Sequence, residues 1–148
     1  MQKKIIAVIG AGSADKELLT LAEEVGRLIG LNGAILVCGG LGGVMEAAAR
    51  GASTEGGITI GILPGLEKSA ANPYIDIPVA TGLGEIRNAI IVRSADVLIA
   101  IGGEYGTLSE IALGLKTGKT VIGIGTWDIK GIIKVHGAED AVNRALGL

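Results

Sequence analysis

The chain contains no phenylalanine, and its only aromatic residues are Tyr74, Tyr105 and Trp127. Proteins that grip single-stranded nucleic acid stack bases on aromatics along a basic groove. Here no Lys/Arg cluster exceeds Lys3-Lys4 and the formal net charge is -2, so no nucleic-acid partner is expected. The single cysteine, Cys38, excludes an intramolecular disulfide and fits a reducing compartment. The single histidine, His136, has no Cys or His at metal-ligand spacing, so no metal site is expected. A Gly-x-Ser-x-Gly elbow is also missing, which argues against a Ser-His triad. No apolar stretch approaches the ~20 residues of a membrane span. The apolar run after Lys3-Lys4 stops at Gly10, short of the ~7–15 residues of a signal core. These absences predict a cytoplasmic protein with no membrane partner.

What the chain has in quantity is glycine, 26 among 148 residues, within a composition that is 49% hydrophobic. That size and balance predict one domain over residues 1–148 with a sizeable core. The glycines are placed, not scattered. Five near-continuous apolar runs, Ile5 to Ile9, Ala34 to Cys38, Ile58 to Leu63, Val97 to Ile101 and Val121 to Ile124, read as strands buried on both faces. Gly10, Gly39, Gly65, Gly102 and Gly125 follow them closely. A sixth strand is expected from Ile75 to Val79.

Helical spacing fills the intervals. It joins Leu18, Ala22, Val25 and Ile29; Val44, Ala47, Ala48, Gly51 and Ala52; Ile86, Ala89, Ile90 and Arg93; Leu108, Ile111, Ala112 and Leu115; and Ala138, Ala141, Val142 and Ala145. The small side chains of the second helix predict a close approach to the sheet. Strands alternating with helices predict an α/β, doubly wound, mainly parallel sheet of Rossmann type. Ligands in such sheets bind at the carboxyl ends of the strands, where the glycines lie. The stretch Gly65 to Pro73 is the best candidate for a mobile loop, and residues 126 to 137 give no clear pattern.

Two familiar motifs fail. "GAGSAD" begins like a dinucleotide fingerprint but has Asp15 at the third glycine, and the second strand ends in Cys38-Gly39 with no acid for a ribose. "TGKT" at 117–120 has no leading glycine and precedes a strand.

The informative stretch is "IGGEYGTLSE" at 101–110. Gly102, Gly103 and Gly106 let backbone N–H groups converge, and a helix starting near Thr107 adds free amides and a dipole, which together make an anion site. A second reading fits Thr107-Leu108-Ser109-Glu110 as a capping box, with Thr107 as N-cap and Glu110 reaching back. That reading explains Thr107 and Glu110 but not three glycines. Gly39, Gly40, Gly42 and Gly43 after the second strand, and Gly10, Gly12 and Ser13 after the first, are further candidate ligand contacts. On the helix before the fourth long strand, Arg87 and Asn88 fall near the ligand edge, where an arginine can hold a phosphate or ribose. Arg93 and Asp96, at its far end, are expected to serve structure.

The segments "GGLGGVMEAAARGA" and "RNAIIVRSADVLIAIGGEYGTLSEIALGLKTGKTVIGI" resemble the Lonely Guy (LOG) family and its relatives, the molybdenum-cofactor carrier proteins and the "lysine decarboxylase-like" proteins. The likeness spans roughly Ile5 to Ile124. It implies a Rossmann-like protein, usually a homo-oligomer (dimer or tetramer), that binds a nucleotide or a nucleotide-like phosphorylated molecule and requires no other cofactor. In the hydrolase branch such proteins cleave the N-glycosidic bond of nucleoside 5′-monophosphates. The family's catalytic arginine and glutamate correspond to Arg87 and Glu110, and its phosphate-binding residues to Gly102, Gly103, Gly106 and Thr107. This chain departs from the hydrolases at Ile101, where they have proline, and at Asn88, where they usually have lysine. Both departures bring it closer to the carriers, whose ligand is a molybdopterin-type cofactor. A glutamate inside a capping box is expected to favour its charged form.

Overall fold

The computed structural model describes residues 2–148. The β-branched runs form seven strands: β1 (Ile5–Gly10), β2 (Ile35–Cys38), β3 (Thr59–Leu63), β4 (Ile77–Ala80), β5 (Val97–Ile101), β6 (Thr120–Ile124) and β7 (Ile133–Lys134). They make one all-parallel sheet in the order β4-β3-β2-β1-β5-β6-β7. The chain winds outward from β1 through β2 to β4, then returns to pair β5 on the other side of β1. Strand order therefore reverses between β1 and β5, the place where a doubly wound sheet opens a crevice.

Helices α1 (Lys16–Leu31), α2 (Val44–Thr54) and α5 (Ala138–Leu146) cover one face of the sheet, while α3 (Asn88–Ser94) and α4 (Tyr105–Lys116) cover the other. The first core is mostly aliphatic, with Ile6, Val8, Leu36, Ile99 and Ile122 packed under Val25, Ile29, Val142 and a row of alanines, and Cys38 among them. The expected faces of α1, α2 and α5 are buried, with Leu18 partly so.

The small residues of α2 have a further use. A Cβ on Gly51 would sit 1.9 Å from the Glu23 carbonyl oxygen, and one on Gly26 would sit 1.9 Å from that of Ala48. The tightest approach of α2 is thus to α1, backbone against backbone, and not to the sheet as the spacing suggested.

The expected stripes of both helices on the opposite face change. A 3₁₀ turn, Gly84–Arg87, leads into α3, whose buried residues are Ile91 and Val92; Ile86 is 75% exposed and Arg93 lies outside. Apolar residues at 86 and 89–92 fit two stripes, and the burial of Arg87 selects the rotation. Helix α4 buries Thr107, Glu110, Ile111 and Gly114, a regular i, i+3, i+4, i+7 stripe. Of the expected apolar stripe, Ile111 alone is fully buried, with Ala112 exposed.

The short strand β7 falls within the stretch that gave no clear pattern. The loop expected to be mobile is tied down at Asn72. Its N–H donates to the Gly40 carbonyl at 2.9 Å, and its side-chain amide donates to that of Leu41 at 2.9 Å. Asp96 is structural, accepting a hydrogen bond from the Ile5 N–H at 2.8 Å.

Candidate functional site

Helix α4 begins two residues before the expected Thr107. Gly102 and Gly103 turn the chain at φ 55° and 101°, and Glu104 becomes the N-cap residue without a side-chain cap. Leu108 is the first residue to bond back, its N–H reaching the Glu104 carbonyl at 2.9 Å. The N–H groups of Tyr105, Gly106 and Thr107 therefore head the helix without intrahelical acceptors. Thr107 stands in the third helical position, so no capping box exists. Its side chain and that of Glu110 lie one turn apart on the buried stripe, facing the crevice instead of closing the helix end.

That crevice is a cleft of about 230 Å³. One wall is the end of β1 with Val8, Ile9, Gly10, Ala11 and Gly12; another is Gly39 and Met45; the third is Gly106, Thr107 and Glu110, with Glu104 beside them. Glu85, Arg87, Asn88 and Ile91 complete it. The strand-order reversal and the cleft coincide.

Arg87 is 8% exposed. Its Nε donates to the Ile62 carbonyl at 2.7 Å, one terminal nitrogen to the Gly39 carbonyl at 3.5 Å, and the other to the Asn88 side-chain oxygen. These anchors aim a planar cation into the cleft and leave two of its five N–H donors uncommitted. They also explain Gly39, where a Cβ would lie 2.8 Å from the guanidinium. Burial holds the Arg87 pKa below its usual value, opposed by the nearby Glu110 charge.

Glu110 and Thr107, 7% and 3% exposed, find no side-chain hydrogen-bond partner among the described residues. No fully buried polar side-chain atom is left unpaired among those residues, so the oxygens of both open onto the cleft. Arg87 and Glu110 make no ion pair. Burial pushes the Glu110 carboxyl up to about 8, with Arg87 pulling the other way. Burial thus disfavours the charged form of Glu110, the opposite of what a capping box would do. Burial also raises the nearby Cys38 thiol to about 11.

Of the candidate contacts, the cleft gathers Gly10, Gly12, Gly39, Arg87, Asn88, Gly106, Thr107 and Glu110. Ser13 is exposed outside it. Gly40, Gly42, Gly43, Gly102 and Gly103 are not among the residues that line it. Gly43 caps α2 at φ 64°, and a Cβ there would sit 2.4 Å from the Ala11 carbonyl oxygen, so it lets the first two loops touch. A Cβ on Gly103 would strike the Thr107 side chain at 2.4 Å. Gly12 and Gly106 differ: the first has nothing within 4 Å, and the nearest atom to a Cβ on the second is 4.0 Å away on Asn88. At these two positions the glycine keeps space open in the cleft.

Met45, Glu85, Glu104 and Ile91 were not anticipated. Met45 was legible in principle as the second residue of a helix opened by a glycine loop. Beside Glu104, the rings of Tyr105 and Trp127 lie 5.9 Å apart, and Trp127 Nε1 donates to the Glu104 carbonyl at 3.1 Å.

The chain is similar to several known proteins along most of its length. An uncharacterized protein of Archaeoglobus fulgidus is 49% identical over 139 residues, covering 93% of this chain and 91% of its own. The cytokinin riboside 5′-monophosphate phosphoribohydrolase of Mycobacterium tuberculosis is 37% identical over 111 residues, 72% of this chain and 59% of that protein. Among solved structures, the molybdenum cofactor binding protein of Rippkaea orientalis superposes with a TM-score of 0.94 at 39% identity, covering 99% of this chain and 98% of that one. The molybdenum cofactor carrier protein of Chlamydomonas reinhardtii gives 0.90 at 36% identity, with 99% and 100% covered. Residues 3–145 match the SLOG cluster4 family, and with this topology and these glycine loops the chain belongs to it.

Proposed function

We propose that the chain binds a phosphorylated, nucleotide-like small molecule in this cleft, and that it does so as a carrier of a molybdopterin-type cofactor and not as a glycosidase. One observation carries the binding reading: two nearly buried polar side chains, Thr107 and Glu110, point into the cleft without partners beside free helix-start amides. Both side chains open onto the cleft without a protein partner among the described residues, so they are free to pair with a guest. The amides of Gly106 and Thr107 and the Thr107 hydroxyl suit a phosphate. Arg87 supplies the positive charge within the cleft. At about 230 Å³ the space suits one end of such a ligand, since whole drug-sized ligands fill roughly 300–1,000 Å³. The remainder extends over the mouth toward Tyr105 and Trp127.

The carrier reading rests on the departures from the hydrolase pattern and on the overall likeness. The raised pKa of Glu110 does not separate the two readings, because a glycosidase can use such a carboxyl as its general acid. Asn88 in place of a lysine removes a second cation. The full-length likeness to the two molybdenum-cofactor proteins points the same way.

The phosphoribohydrolase reading is favoured by the presence of Arg87 and Glu110 in one cleft and by the Mycobacterium relative. The purified protein, incubated with nucleoside 5′-monophosphates, is expected to bind them without releasing base. Base release by the wild type, reduced at least tenfold (~1.4 kcal/mol) in both Arg87→Ala and Glu110→Ala, would establish the hydrolase instead.

A further inference from the structure

The cleft wall at Gly39 belongs to a loop whose carbonyls are held one after another. Arg87 donates to the Gly39 oxygen at 3.5 Å, the Asn72 main-chain N–H to that of Gly40 at 2.9 Å, and the Asn72 side-chain amide to that of Leu41 at 2.9 Å. In a trans peptide the carbonyl and the following N–H point in opposite directions, so holding these oxygens sets where the amides of Gly40, Leu41 and Gly42 point. The Gly40 N–H meets the Cys38 sulfur at 3.4 Å. Beyond Leu41 the loop supports the neighbouring wall. A Cβ on Gly42 would lie 3.4 Å from the Gly12 carbonyl oxygen, and the Val44 N–H donates to the Ala11 carbonyl at 3.1 Å. Ala11 and Gly12 line the cleft; Asn72, 8% exposed, does not.

Both ends of the Asn72 amide are engaged. Its oxygen accepts from the Tyr74 N–H at 3.0 Å, which leaves the NH₂ group facing Leu41. An aspartate would keep the first bond but turn an oxygen toward the Leu41 carbonyl. The segment itself does not depend on this side chain. The Thr59 hydroxyl donates to the Tyr74 carbonyl at 2.6 Å and accepts from the Asp76 N–H at 2.8 Å. The main-chain bond from Asn72 to Gly40 also survives any substitution other than proline.

Resting on the binding reading above, we infer that Asn72 is a positioning residue for the ligand. It touches no guest, but by fixing the Leu41 peptide it sets how far the Gly39 and Gly12 walls stand from the head of α4. A phosphate at the Gly106 and Thr107 amides is beyond its influence. The ribose that follows in a nucleotide fills the cleft between those walls and registers any shift in them.

The test compares wild type with Asn72→Ala, Asn72→Asp and Thr59→Val. GMP binding is followed by calorimetry, and inorganic phosphate binding by the amide resonances of Gly106 and Thr107. Thr59→Val loosens the same segment without touching the glycine loop, and thermal unfolding reports the stability that each variant loses. Wild type is expected to bind both probes. Loss of a preorganised wall should weaken GMP binding by about tenfold in Asn72→Ala and Asn72→Asp, while phosphate stays within roughly twofold of wild type. Thr59→Val should bind both probes as wild type does wherever it is folded. Unchanged GMP affinity in Asn72→Ala overturns the inference. So does an equal loss for phosphate, or the same loss of GMP in Thr59→Val, since general loosening would then suffice. Should Asn72→Asp not fold, Asn72→Ala decides; should that variant not fold either, the side chain serves the fold and the inference is overturned. Wild type binding phosphate but not GMP overturns it while the anion site survives. Wild type binding neither removes both.

Discussion

The two faces of the sheet use the same kinds of residue for opposite ends. Between α1 and α2, Gly26 and Gly51 are glycine because a single methyl would lie 1.9 Å from a carbonyl oxygen of the other helix. At the cleft, Gly12 and Gly106 are glycine although a methyl would meet no atom closer than 4.0 Å. The first pair serves packing, and the second pair keeps a space free. The cores differ in the same way. One face buries mostly aliphatic residues, with Cys38 and Thr59 among them, while the other admits the charged pair Glu110 and Arg87 together with Thr107 to positions that packing alone would give to leucine. Buried polar residues there reduce stability, and a ligand gives them a purpose.

The largest expected break in this comparison is Gly26→Ala. The helices must separate to admit it, and the urea midpoint should fall by the equivalent of about 3 kcal/mol; an unchanged midpoint would mean that the two backbones do not meet.

Next is Glu110→Gln. The folded pKa of Glu110, about 8, lies above the ordinary value of 4.5. Between those values the folded state holds a proton that the unfolded state has released. Stability contributed by this group is therefore full below about pH 4.5 and declines as pH rises toward 8, by at most ~1.4 kcal/mol per unit. The glutamine variant escapes that decline. It should unfold at a higher temperature than wild type at pH 8 and at nearly the same temperature at pH 4.5.

Gly106→Ala sharpens the contrast further. Alanine in a helix is worth ~1 kcal/mol over glycine, and the position has room for it. The variant should be more stable than wild type and bind a phosphorylated ligand at least tenfold more weakly, as calorimetry would show. Gly12→Ala should likewise spare the fold and weaken binding.

The smallest effect belongs to Glu104→Gln. Removing an exposed mouth carboxylate should tighten phosphate binding a few-fold, ~0.5 kcal/mol, with the gain fading at high salt.

These faces were unequally legible in the sequence. The long strands showed themselves as unbroken β-branched runs, and α1, α2 and α5 as clean apolar stripes. On the other face, the rotation of α3 and α4 was hidden because their buried stripes include Arg87, Thr107 and Glu110, which spacing rules assign to the surface. The Thr-x-x-Glu pattern imitated a capping box. Only the turn at Gly102 and Gly103 shows that the helix starts at Tyr105 and that both side chains face inward. Strand β7 was illegible because two residues pairing at a sheet edge leave no periodicity. The ligand edge itself was readable from the glycines, but which of them open space and which close it depends on what lies opposite, as at Gly43 and Gly106.

A crystal structure of the protein soaked with GMP tests the central claim most directly. The account predicts the phosphate within hydrogen-bond distance of the Gly106 and Thr107 amides, in the cleft that Arg87 and Glu110 line. Nucleotide bound elsewhere, with the cleft filled only by water at saturating GMP, would contradict it.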